Sequence, residues 1–112
     1  MNADDRAEGL LEDLEKTLQA AAELVARGRI AFDDDIAIRL AFEALSNRLG
    51  EVAKQLTQLD SQRFSEPVWS FAAKNRDKIV HHYNIIDLDV LWETVATDFP
   101  QIGELARTKR AL

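Results

Sequence analysis

The chain has 112 residues, 46% of them hydrophobic and 30% charged, with a formal net charge of −6. These proportions suit one soluble domain, 1–112, with a single modest core. No cysteine is present, which removes disulfides, thiol nucleophiles and zinc–thiolate sites and suits a reducing cytoplasm. No apolar run approaches the roughly 18–20 residues that span a membrane, and the N-terminus has no signal-peptide pattern. The negative charge argues against nucleic-acid binding over the whole surface, so RNA would have to be met at a local basic cleft.

Four glycines and two prolines leave few places to turn, which favours a few long helices over many short strands. Residues 4 to 27 read as the first helix, with Leu11, Leu14, Leu18, Ala21 or Ala22, and Val25 on one face. Asp4, Asp5 and Glu8 stand near its N-terminus, where the helix dipole favours negative charge. Gly28 suits the C′ position because it tolerates positive φ. Ile30 to Phe32 is read as a crossing to the second helix, which begins near Asp33-Asp34-Asp35. That acidic run is expected to cap the helix and meet its dipole. A metal site is disfavoured, because consecutive residues do not share a helix face.

The second helix runs to about Leu59. Ile38, Phe42, Leu45, Leu49, Val52, Leu56 and Leu59 recur at alternating steps of four and three, a seam that packs along its whole length in a bundle or dimer. Gly50 in mid-helix costs about 1 kcal/mol relative to alanine, and close approach of a neighbouring helix would explain it. Asp60 to Glu66 is a connector. Pro67 fits the first turn of a third helix, on which Trp69, Ala72, Arg76, Ile79 and Tyr83 share a stripe. Ser70, Lys74, Asp77 and His81 share a separate polar face. Asn84 to Ile86 breaks the pattern. Asp87 is placed to cap a fourth helix carrying Val90, Leu91 and Val95, with Trp92 alongside. Pro100 is expected to end or kink it, and Gln101 to Arg110 forms a short final helix with a basic end.

The chemistry gathers between residues 74 and 83. Lys74, Arg76, Lys78 and a protonatable His81 fall within ten residues of an otherwise acidic chain, beside His82 and Tyr83. Arginine presents a planar fork that matches a phosphate. Histidine moves a proton near neutral pH. RNA carries its own nucleophile, the 2′-OH, so an arginine and a histidine are a sufficient minimum for cleavage, with no metal or other cofactor. Arg76 has a plainer reading as a tie to Glu51 between two helices. Asp77 could orient Arg76 or His81, or merely pair with Lys74 or Lys78. His82 points elsewhere on a helix and is accessory. Five regular helical positions put Arg76 and His81 about 140° apart. Either the helix loosens near His81, or a second copy of the chain completes the site.

Residues 76–83 also spell R-x4-H-x-Y, which resembles the signature of the HepT-like toxins, a branch of the HEPN superfamily of small helical ribonucleases. Asp35 to Leu56, with its Gly50-Glu51 pair, looks like that family's long helix. Ile86 to Trp92 followed by Asp98-Phe99-Pro100 is similar to its closing pattern. The resemblance covers roughly Glu8 to Leu105. It implies an all-α, HEPN-type up-and-down bundle of four to five helices, paired as a homodimer whose two motifs face each other across a cleft. It implies a metal-independent endoribonuclease toxin of a HepT–MntA type pair. Arg76 and His81 would be catalytic, with Asp77, Lys74, Lys78 and His82 in support. Tyr83 matches the tyrosine to which a partner nucleotidyltransferase of the MntA type adds AMP.

Two other classes of function stand beside this one. HEPN relatives include non-catalytic helical modules that bind a nucleotidyltransferase or its substrate. A purely structural four-helix dimerisation domain would account for the heptad seam but leaves the cluster at 74–83 unexplained.

Overall fold

The computed structural model describes residues 2–81 and 87–111, and the side chains of all of these except 78–81 and 111. Helix α1 spans Ala3–Val25, α2 Arg29–Asp34, α3 Ile36–Leu59, α4 Pro67–His81, α5 Leu88–Glu93 and α6 Phe99–Ala111, with a π turn at Thr94–Asp98 between the last two. No strand occurs among the described residues. The all-α bundle expected from the sequence is therefore observed.

The chain starts each long helix with a side chain. Asn2 accepts from the Asp5 amide at 2.8 Å and opens α1, and Asp35 accepts from the Ala37 amide at 2.9 Å and opens α3. These contacts satisfy amides that have no partner within a first helical turn. Gly28 takes a positive φ of 90°, but it stands as the N-cap of α2 and not as the C′ residue expected of it, because α1 already ends at Val25 with Ala26 as its C-cap. That short helix corrects the expectation of a simple crossing at Ile30 to Phe32. It also divides the acidic run. Only Asp35 caps, whereas Asp33 accepts from Arg29 Nε at 2.9 Å. Arg39 secures α2 on α3 by donating to the carbonyls of Phe32 and Asp33 at 3.1 and 2.6 Å.

Helix α3 is the central element, with α4 along one side and α1 along another. Its seam packs as the spacing implies. Ile38, Phe42, Leu49, Val52 and Leu56 are buried, and Leu45 and Leu59 are half-buried. Leu11 and Leu14 of α1 and Trp69 of α4 complete the same core. At one end, Phe42 lies 4.7 Å from Phe32 and 5.6 Å from Trp92 between ring centroids. Arg29 covers this aromatic group at 5.4 Å from Phe32 while bonding to Asp89 at 2.6 Å. At the other end, Trp69 meets Phe64 edge-on at 5.3 Å and donates its indole N–H to Glu66 at 2.9 Å. Glu66 also receives Lys109 Nζ at 2.8 Å, which ties α6 to the start of α4.

Asp87 caps α5 as expected, accepting from the amides of Asp89 and Val90. Leu91 and Val95 face the core, but Val90 is 53% exposed and does not belong to it. The helix that begins at Leu88 is interrupted just ahead of Pro100, in keeping with the end or kink expected of that proline. Pro100 stands in the first turn of α6, and the turn ahead of it opens into the π form. Proline has no N–H for the carbonyl four residues back and crowds it. Widening the preceding turn relieves that conflict, and Phe99 donates to Thr94 five residues back.

Candidate active site

Gly50 brings α4 against α3. A Cβ added there would lie 2.1 Å from Arg76 Cβ and 2.6 Å from the Ala72 carbonyl oxygen. No side chain fits such a gap, so the mid-helix glycine is explained by the close approach its position suggested. The consequence is that Arg76 extends along α3 rather than away from it. Asn47 and Glu51, one turn apart on α3, are there to meet it. Arg76 Nε donates to Asn47 Oδ1 at 3.1 Å, one terminal nitrogen to Asp77 Oδ1 at 2.9 Å, and the other stands 3.5 Å from Glu51 Oε2.

The Arg76 side chain is 25% exposed, so it is largely shielded but not sealed from solvent. Its five N–H donors exceed these three contacts. Two carboxylates and an amide hold the fork in one plane, which removes much of the rotamer freedom that a phosphate would otherwise have to restrict. The tie to Glu51 foreseen as the plainer reading of Arg76 is present. Among its contacts it is the longest, and the one a phosphate oxygen would displace most readily. Asp77 accepts from Arg76 at 2.9 Å, the contact that an orienting role would need.

Asn47 was not singled out by the sequence. A polar residue in a helix is unremarkable until its partner, 29 positions away, is known. Its spacing of three and four from Gly50 and Glu51 is the one signal that points to it.

Helix α4 is regular through His81. The backbone between Arg76 and His81 is thus helical, and an ideal helix would set positions five apart at about 140°. Lys74 is exposed on the same helix. The side chains of Lys78 and His81, and His82 and Tyr83 altogether, lie outside the described residues. No group of three or more histidine, aspartate or glutamate side chains suited to a metal occurs among the described residues.

A family described as ribonuclease HepT-like matches residues 11–108. The chain belongs to the HepT-like family. The match takes in α1 from Leu11 onward, all of α3 and α4, and most of α6, and so includes every residue around Arg76. A protein of Caldanaerobacter subterraneus subsp. tengcongensis, provisionally named as an RNase, is 30% identical over 93 residues, 80% of this chain and 83% of its own. A protein of Thermococcus cleftensis, named as a probable ribonuclease HepT, is 30% identical over 95 residues, 82% of this chain and 84% of its own. No solved structure matches significantly. No helix among the described residues is long and apolar enough to cross a membrane.

Proposed function

We propose that this HepT-like chain is a metal-independent endoribonuclease toxin, active in the cytoplasm as a homodimer. The observation that supports it most is the Arg76 fork, braced by Asn47 and Asp77 and only partly buried, five positions before His81 in a chain of the HepT-like ribonuclease family.

In this reading the 2′-OH of the RNA attacks the adjacent phosphorus. The P–O5′ bond breaks, leaving a 2′,3′-cyclic phosphate and a 5′-OH end. His81 serves as general base or acid, taking the 2′-OH proton or supplying one to the 5′-oxygen. Arg76 binds the phosphate and stabilises the charge that builds on it in the transition state. Lys74, Lys78 and His82 add positive potential along the groove, and Asp77 keeps the fork aligned. The separation of Arg76 from His81 around α4 favours a site completed by a second copy, with the arginine of one protomer working opposite the histidine of the other.

Tyr83 is the proposed point of control. A nucleotidyltransferase of the MntA type would add AMP to its hydroxyl, placing negative charge and bulk beside the phosphate-binding arginine. The test is growth inhibition by the chain expressed alone, which Arg76→Ala and His81→Ala should each abolish while leaving the protein folded.

One observation favours the non-catalytic alternative. Arg76 already has carboxylate partners in Glu51 and Asp77, as a helix tie would. A chain that binds its nucleotidyltransferase but leaves both cell growth and RNA untouched would establish that role instead.

A further inference from the structure

On the other side of the α3–α4 contact lies a cavity of about 200 Å³, closed by the π turn and the start of α6. Ser46 lines it from α3, Phe71 and Asn75 from α4, and Thr94 and Asp98 from the π turn, around the apolar side chain of Leu49. Ser46 is 2% exposed, and its hydroxyl has no partner among the described residues. A serine inside a helix can usually turn its hydroxyl to the carbonyl four residues back, and a buried hydroxyl left unmatched is costly. Phe71 has the opposite anomaly, an aromatic ring 65% exposed. The π turn sets Thr94 and Asp98 on the same wall, and interruptions of this kind are frequent at functional sites.

We infer that this cavity seats an unstacked nucleobase of a single-stranded RNA, with Phe71 against its face and Ser46, Asn75 and Asp98 along its edge. The inference rests on the ribonuclease reading given above. The lining described carries one carboxylate and no cation, so it suits a neutral ring rather than a phosphate. Stacking on an exposed aromatic with hydrogen bonds to the base edge is how proteins hold splayed single-stranded RNA. The carboxylate of Asp98 accepts from an amino or imino N–H, and the Asn75 amide and Ser46 hydroxyl can each donate or accept. The set favours bases that present an amino group, guanine, adenine and cytosine, over uracil, whose one edge N–H is flanked by two carbonyl oxygens that repel the Asp98 carboxylate. Partial desolvation, with Glu93 adding repulsion, holds the Asp98 carboxyl above its ordinary value, and a donor from the base would relieve it.

The placement fits one substrate. Ser46 and Asn75 each directly precede a member of the arginine site, Asn47 and Arg76, so their Cα atoms lie about 3.8 Å from those of the arginine and its asparagine brace. An RNA strand would have to pass over the α3–α4 contact for a phosphate to meet Arg76 while a base enters the cavity.

The test is a titration of the isotope-labelled protein with the 5′-monophosphates of guanosine, adenosine, cytidine and uridine, followed by NMR. Parallel cleavage of a random single-stranded RNA pool would use the wild type, Ser46→Val and Asn75→Leu. The amino-bearing nucleotides should shift the amide signals of Ser46, Asn75 and Asp98 at lower concentration than uridine monophosphate does. Either substitution should weaken that binding about tenfold, as loss of a hydrogen bond near 1.4 kcal/mol implies, and should flatten the base preference at the cut. No shift at these amides with any nucleotide, or equal binding of uridine monophosphate, would overturn the inference. Cleavage with an empty cavity would count against the cavity alone, and nucleotide binding without cleavage would count against the ribonuclease reading alone.

Discussion

Gly50 and Arg76 are in contact without a side chain on one of them. The missing Cβ of Gly50 would stand 2.1 Å from Arg76 Cβ, and that gap lets the arginine run along α3 to Asn47 and Glu51. One glycine thus sets both the α3–α4 contact and the position of the guanidinium.

Gly50→Ala is therefore expected to destabilise the protein although it raises helix propensity. The propensity gain is about 1 kcal/mol, whereas overpacking against a backbone carbonyl and a Cβ costs about 1–3 kcal/mol or more. Denaturant unfolding should show a net loss of stability. A stabilised variant would mean that α4 can move off α3 freely.

Substitutions around Arg76 should separate a catalytic arginine from a helix tie. Arg76→Lys retains the charge but loses the fork, and should lose most RNA cleavage with little change in unfolding. Glu51→Gln removes only the longest of the three contacts, from an exposed carboxylate, and should retain cleavage. A pure tie would reverse this order, with Arg76→Lys and Glu51→Gln both changing stability and neither changing catalysis. Steady-state cleavage of a single-stranded RNA together with denaturant unfolding distinguishes the two.

The contact between Glu66, Trp69 and Lys109 predicts an acid-sensitive joint. The Lys109 ammonium bonded to Glu66 is the largest cause holding that carboxyl below its ordinary range, against partial desolvation and with help from the Trp69 indole. A depressed carboxyl contributes stability above its unfolded pKa of about 4.3 and loses it as pH falls through the folded value. Wild type should thus be more stable than Glu66→Gln near neutral pH, and the difference should shrink below about pH 4. A constant difference across pH would show that the ion pair contributes nothing.

Truncating Phe42, fully buried between Phe32 and Trp92, should be the costliest of the aromatic changes. Phe42→Ala is expected to lose about 3–5 kcal/mol, measured by thermal or denaturant unfolding, because rings on two other elements lose their contact at once.

Much of this fold was legible before the structure. The alternating steps of four and three from Ile38 to Leu59 mark α3, and Asp87 and Pro67 stand where their backbone preferences put them. What was hidden depends on partners remote in sequence. Helix α2 is six residues with two aspartates, too short to show a period. Val90 looks like core until the helix is seen to face it outward. The π turn follows from Pro100 only once α5 and α6 are known to be continuous. At the candidate site, Arg76 and its possible tie to Glu51 were visible, whereas Asn47 was not, because a helical asparagine carries no signal of the arginine it will meet. The expectations for His82 and Tyr83, and for the side chains of Lys78 and His81, fall outside the described residues.

If a nucleotidyltransferase controls the chain through Tyr83, incubation with that enzyme, ATP and Mg²⁺ should raise the intact mass of the wild type in steps of one AMP and leave Tyr83→Phe unchanged. Equal steps in both proteins would place the modification elsewhere.

The central claim is that Arg76 of one protomer and His81 of another form one RNA-cleaving site. Purified wild type, Arg76→Ala, His81→Ala and a refolded mixture of the two variants should be compared on the same single-stranded RNA, with the 2′,3′-cyclic phosphate end as the readout. Each variant alone should be inactive, and the mixture should recover activity, because a mixed dimer contains one site with both residues intact. Wild-type cleavage by either variant alone, or a mixture as silent as its components, would contradict the account.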